Sequence, residues 1–128
     1  MYKLVAIDLD GTLLDSYGNI SNENMAALKR AIENGIHIVL CSGRIGTSVE
    51  SFCREVGNTR FYIADNGAQV YDLKDCKTIY SNFLTKQKTL DVIKICDDNS
   101  IYYSVYTENC VLTKSLNHSD YLIYFICT

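Results

Sequence analysis

Apolar residues fall along the first half of this chain in two textures. Residues 4–7, 36–41 and 61–64 form short runs closed by polar or small residues, whereas Met25, Leu28 and Ile32, then Ile45, Val49, Phe52 and Val56, recur at helical spacing. The runs predict strands, and their lack of polar alternation predicts that 4–7 and 36–41 are buried on both faces. The recurring residues predict two helices. Ser21 stands where an N-cap belongs for a helix from Asn22 to about Asn34, Gly35 is its stop, and Gly57 ends the second helix. Strand, short helix and strand make a crossover unit whose right-handed connection sets the first two strands parallel, carboxyl ends on one edge.

Beyond Asn66-Gly67, a strong turn signal, the pattern alternates through residues 69–71, turns at 72–75 and returns through 78–80, which predicts a hairpin. From Thr85 the texture changes again. Residues 87–98 predict a helix with Leu90, Ile93 and Cys96 inward, and 101–106 and 110–112 a strand pair around Glu108-Asn109. Residues 121–127 are an unbroken apolar run, too short to span a bilayer and suited to pairing or burial. The fold class expected is α/β: a Rossmann-like parallel sheet with a β-hairpin, then a small α/β segment.

A length of 128 residues allows one domain with a real core, and a net charge of −3 offers no basic patch for nucleic acid or an anionic membrane. Lys3 is the only early positive charge, and Asp8 breaks the apolar run after it too soon for an export signal or membrane segment. The six cysteines include no Cys-x-x-Cys pair and no histidine at metal spacing, so they read as small hydrophobes in a reducing, cytoplasmic setting. His118, near a polar turn with no partner spacing, reads as solvated rather than catalytic.

Candidate chemistry gathers at strand ends. Asp8 and Asp10 follow the first run two positions apart, ahead of Gly11 and Thr12. Beyond the carboxyl ends of parallel strands such a pair can hold a divalent cation facing a phosphate, although Asp-x-Asp-Gly also serves as a plain acidic turn. Ser42, Gly43 and Arg44 follow the second strand ahead of a helix, an arrangement that suits an anion; alone, Ser42 would read as an N-cap. Asn66 stands equally well as a turn residue or as a member of the site.

The longer string Asp8-Leu9-Asp10-Gly11-Thr12-Leu13-Leu14 after an opening strand closely resembles the first motif of the haloacid dehalogenase superfamily of phosphatases and phosphotransferases. Ser42-Gly43-Arg44 is similar to its second motif in the Cof-type branch, and Asn66-Gly67-Ala68 to a signature of that branch. The resemblance implies Asp8 as nucleophile, Asp10 as general acid and base, and Gly11, Thr12, Ser42, Gly43 and Arg44 around the phosphate. It places Asn66 on the substrate side and Mg²⁺ on Asp8 and Asp10, with a small phosphorylated metabolite as substrate. It further implies a division into 1–82, the first half of the core, and 83–128, the start of an α/β cap.

Two parts of that family's machinery, a later lysine and a second acidic pair, have no counterpart here, so the expectation is a chain ending inside its cap with impaired activity. The first strand would then be an apolar edge, which together with residues 121–127 suggests association with a second copy. A non-catalytic fragment with weak metal or phosphate binding is the alternative. A receiver-like phospho-acceptor also uses strand-end aspartates, but Gly11-Thr12 and the hairpin after Asn66 do not suit it.

Overall fold

The computed structural model describes residues 2–107 and 111–113. The chain divides into two compact units, Met1–Asn82 and Phe83–Thr128. In the first, a five-stranded sheet follows chain order: β1 (Leu4–Asp8), β2 (His37–Cys41), β3 (Phe61–Ala64), β4 (Gln69–Asp72) and β5 (Lys77–Ser81). β1, β2 and β3 are mutually parallel, while β4 and β5 return as the expected antiparallel hairpin. Helix α1 (Asn22–Glu33) joins β1 to β2, and α2 (Gly46–Val56) joins β2 to β3. Because Asp8 pairs in register with Cys41, the chain leaves β1 and β2 side by side on the same edge.

The local signals act as their chemistry requires. The Ser21 hydroxyl accepts from the Asn24 N–H at 3.2 Å, capping α1, and Gly35 leaves that helix with φ of +74°. The second helix is capped by Ile45, so Ser42 is not its N-cap but lies in the loop ahead of it. The core is built from Leu9, Leu28, Ile38, Leu40, Val49 and Cys53, with Tyr62 and Ala64 from β3. Cys53 is packed as a small hydrophobe, and burial pushes its thiol up to about 11.

One expectation for the first strand fails. Leu4 is 53% exposed and Val5 38%, so β1 is not buried on both faces. β1 is instead an edge strand, with β2 alone beside it among the described residues, which agrees with the apolar edge that the resemblance implied. β2, with neighbours on both sides, buries Ile38, Val39 and Leu40 as expected.

The hairpin turn contains a polar centre that the sequence pattern did not single out. Asp72 is 2% exposed and accepts from Arg60 through both Nε and Nη2, and also from the backbone N–H groups of Lys74 and Asp75. The Arg60 hydrogen bonds hold its carboxyl below the ordinary carboxylate range. A depressed pKa adds stability that is fully present above the ordinary carboxylate value and is lost as pH falls through the depressed one. Asp72→Asn is therefore expected to lower the urea midpoint at neutral pH. The gap between variant and wild type should close in strong acid, as read by circular dichroism.

In the second unit, α3 (Lys86–Asp98) is capped by Thr85, and β6 (Ser104–Tyr106) pairs antiparallel with β7 (Val111–Thr113). The strand expected over 101–106 forms only in its second half. The inward face expected for the helix forms only in part: Ile93 and Cys96 are half-buried, Leu90 is 48% exposed, and none of its residues is fully buried. A helix buries a stripe only against another layer, and the described residues of this unit offer two three-residue strands. Glu108-Asn109, Cys110, His118 and the 121–127 run lie outside the described residues. Among the described residues, no helix is long and apolar enough to cross a membrane.

Candidate active site

The acidic loop owes its shape to the leucines within it. Leu9 is fully buried and Leu13 and Leu14 nearly so, which turns Asp8, Asp10, Gly11 and Thr12 outward. Gly11 has φ of +77°, a left-handed conformation that side chains rarely adopt, and the Leu14 N–H closes the turn onto the Leu9 carbonyl at 2.9 Å. The Thr12 hydroxyl donates to Asp8 Oδ2 at 3.0 Å, fixing the carboxylate's orientation from four residues away. Asn24 Nδ2 donates to the Leu13 carbonyl at 3.0 Å and ties the loop to α1.

Beside it, the loop after β2 is tied to the loop after β3. Ser42 is buried; its N–H donates to the Ile63 carbonyl at 3.0 Å and its Oγ accepts from the Arg44 N–H at 3.1 Å. The Asp65 N–H donates to the Arg44 carbonyl and the Asn66 N–H to the Ser42 carbonyl. Asp65, Asn66 and Gly67 are all left-handed, at φ of 51°, 54° and 92°, a turn for which Asp, Asn and Gly are the suited residues. A Cβ on Gly43 would stand 2.8 Å from Asn66 Oδ1, so glycine at 43 is what lets the Asn66 amide lie over this loop.

Asp10 and Arg44 join the two halves. Arg44 Nε donates to Asp10 Oδ2 at 2.8 Å and Nη2 to Oδ1 at 2.6 Å, a two-pronged contact between residues 34 apart in sequence. These bonds, the guanidinium charge and the Ser42 hydroxyl hold the Asp10 carboxyl below the usual range, against the opposite pull of burial. The guanidinium also lies over the Phe52 ring, 5.3 Å from its centroid. The structure thus gathers Asp8, Asp10, Gly11 and Thr12 on one loop, Ser42, Gly43 and Arg44 on the next and Asn66 on the third. Arg44, which the resemblance implied for the phosphate, contacts the Asp10 carboxylate with both prongs of its guanidinium.

Phe52 and Asp65 belong to this neighbourhood and were missed. Phe52 was legible only as one member of an apolar helical stripe, and nothing in the letters marks the Asp65 backbone as a strap. Burial holds the Asp65 carboxyl above the usual range. Among the described residues, no group of three His, Cys, Asp or Glu side chains converges as a metal cluster, so a cation here would take its protein ligands from the two-aspartate loop. Hard oxygen donors on that loop suit Mg²⁺ in kind, since this ion keeps several waters and takes one or two carboxylates alongside phosphate oxygens.

A family profile for haloacid dehalogenase-like hydrolases matches residues 5–124. The chain belongs to that family. One relative of this haloacid dehalogenase-like chain is the phosphatase YwpJ of Bacillus subtilis (strain 168), 34% identical over 111 residues, which cover 87% of this chain and 39% of YwpJ. Another is the 5-amino-6-(5-phospho-D-ribitylamino)uracil phosphatase YwtE of the same organism, 32% identical over 111 residues, covering 87% of this chain and 38% of YwtE. Among solved structures, a haloacid dehalogenase-like hydrolase from Bacteroides thetaiotaomicron superposes with a TM-score of 0.80 at 27% identity, over 91% of this chain and 45% of its own. The chain spans about two fifths of the length of the two curated relatives.

Proposed function

We propose that the loop of Asp8 and Asp10 is the reacting half of a Mg²⁺-dependent phosphomonoesterase acting on small phosphorylated metabolites. The observation that carries this reading is the juxtaposition of an outward acidic pair with the Ser42–Gly43 loop across two parallel strand ends. An Asp8 oxygen attacks phosphorus as the ester oxygen departs. Asp10, which Arg44 holds as a carboxylate in the free protein, must take up a proton as the phosphate dianion arrives beside it in order to pass that proton to the ester oxygen. It then accepts the proton of the water that attacks the aspartyl-phosphate. Thr12 orients the nucleophile, and Gly11, Thr12, Ser42 and Gly43 offer hydroxyl and backbone donors to the phosphate oxygens, with Asn66 toward the leaving group. The Asp8 carboxylate and the Asp10 backbone carbonyl would hold Mg²⁺, which when bound supplies positive charge against the repulsion between carboxylate and phosphate.

A second reading is favoured by one observation: among the described residues, two carboxylates without a third, one of them paired with Arg44, make a sparse cation site. On that reading the chain binds Mg²⁺ and phosphate weakly and turns over nothing. Phosphate release from a panel of phosphomonoesters, measured colorimetrically with Mg²⁺ and again with excess chelator, separates the two. Turnover that the chelator abolishes is the expected result. Release no greater than the buffer blank across the panel would leave the binding-only reading.

A further inference from the structure

Arg44 is fixed more firmly than a residue waiting for a ligand needs to be. Its backbone is pinned at both polar groups, N–H to Ser42 Oγ and carbonyl to the Asp65 N–H, and its guanidinium rests over the Phe52 ring. From that seat its planar fork meets both oxygens of Asp10. We propose that Arg44, seated on Phe52, is a positioning residue for Asp10. This inference rests on the phosphatase reading, in which Asp10 must meet the leaving oxygen at a fixed place.

The magnitude of the ion pair supports a geometric role. The two side chains are 34% and 56% exposed, and exposed ion pairs contribute little to stability. What a two-pronged contact supplies is direction: it fixes both torsions of a short carboxylate that would otherwise sample several rotamers in water. A lysine at 44 would bring the charge without the fork. Phe52 serves the same end from beneath, because the ring gives the guanidinium plane a surface to lie on while being packed itself against the core. Misplacing a reacting group by about 1 Å costs on the order of 100-fold in rate, so the effect belongs in turnover rather than in binding.

The test uses the full chain with Arg44→Lys and Phe52→Leu. With any phosphomonoester that the wild type turns over, Arg44→Lys should lower kcat about 10- to 100-fold. KM, and the affinity for inorganic phosphate titrated by NMR, should stay within about threefold, and Phe52→Leu should show the same split in milder form. The Arg44 Nε–H cross-peak should be displaced in Asp10→Asn and should hold its position when inorganic phosphate is added to the wild type. If phosphate moves that cross-peak, or if Arg44→Lys weakens phosphate binding as much as it slows turnover, Arg44 is a phosphate ligand and the proposal is wrong. If no substrate is turned over, it is the phosphatase reading that fails. The cross-peak then decides the Arg44 question alone, and indifference to Asp10→Asn would overturn the pairing.

Discussion

On the proposed phosphatase reading, Asp8→Asn is expected to cut Mg²⁺-dependent phosphate release by about 10³-fold or more while leaving the thermal midpoint almost unchanged. The loss follows from chemistry: an amide is nearly isosteric with a carboxylate but lacks the charge that attacks phosphorus, and removing a nucleophile costs several orders of magnitude. The unchanged midpoint follows from position. Asp8 is exposed at the rim of its loop, where its side chain accepts from the Thr12 hydroxyl, and substitutions of exposed residues usually stay within about 0.5 kcal/mol. The measurement is kcat with Mg²⁺ saturating, paired with a melting curve of both proteins. Residual turnover equal to wild type would assign the activity to another group or to a contaminant.

Leu40→Ala should produce the opposite pattern, a large fall in stability. Leu40 is fully buried in β2, between β1 and β3, and lies two residues before Ser42. Truncating a buried leucine costs about 2–5 kcal/mol, the lost transfer energy plus the cavity left behind. For a chain of this size that is a drop in melting midpoint on the order of 10 °C. Calorimetry or a urea titration reads it directly. A change below about 1 kcal/mol would mean that the core can collapse around the gap, contrary to close packing between strand and helix.

What the sequence disclosed and what it hid divide along a physical line. The Ser21 cap, the Gly35 and Gly57 stops and the turn after Asn66 are set by residues within a few positions of one another, and all four stand as read. The Asp8 and Ser42 loops were brought together by topology alone, because a right-handed crossover leaves little freedom in where two parallel strands end. The exposure of Leu4 fits the apolar edge that the resemblance implied for the first strand, whereas that of Leu90 could not be read, since burial depends on which layers lie alongside, and a run of apolar letters records only what a strand or helix could bury. The contact between Arg44 and Asp10 was equally hidden, since it depends on side-chain torsions and on the Phe52 ring eight residues further on. Asp72 shows the same limit. Its spacing to Asp75 marks a turn, but the guanidinium that neutralises it comes from across the sheet, at Arg60.

Leucine and aspartate alternate at the end of β1, one side chain sunk in the core and the next in water, so the reading frame of that loop against the sheet is fixed to the residue. Inserting or deleting one amino acid between Ile7 and Leu9 would do more than shift the acids along. It would trade places between an acid and Leu9, burying a charge and wetting a hydrocarbon in one step. Length variation is therefore forbidden here, while the polar bend over Asp15–Asn19 a few positions later has room to absorb it.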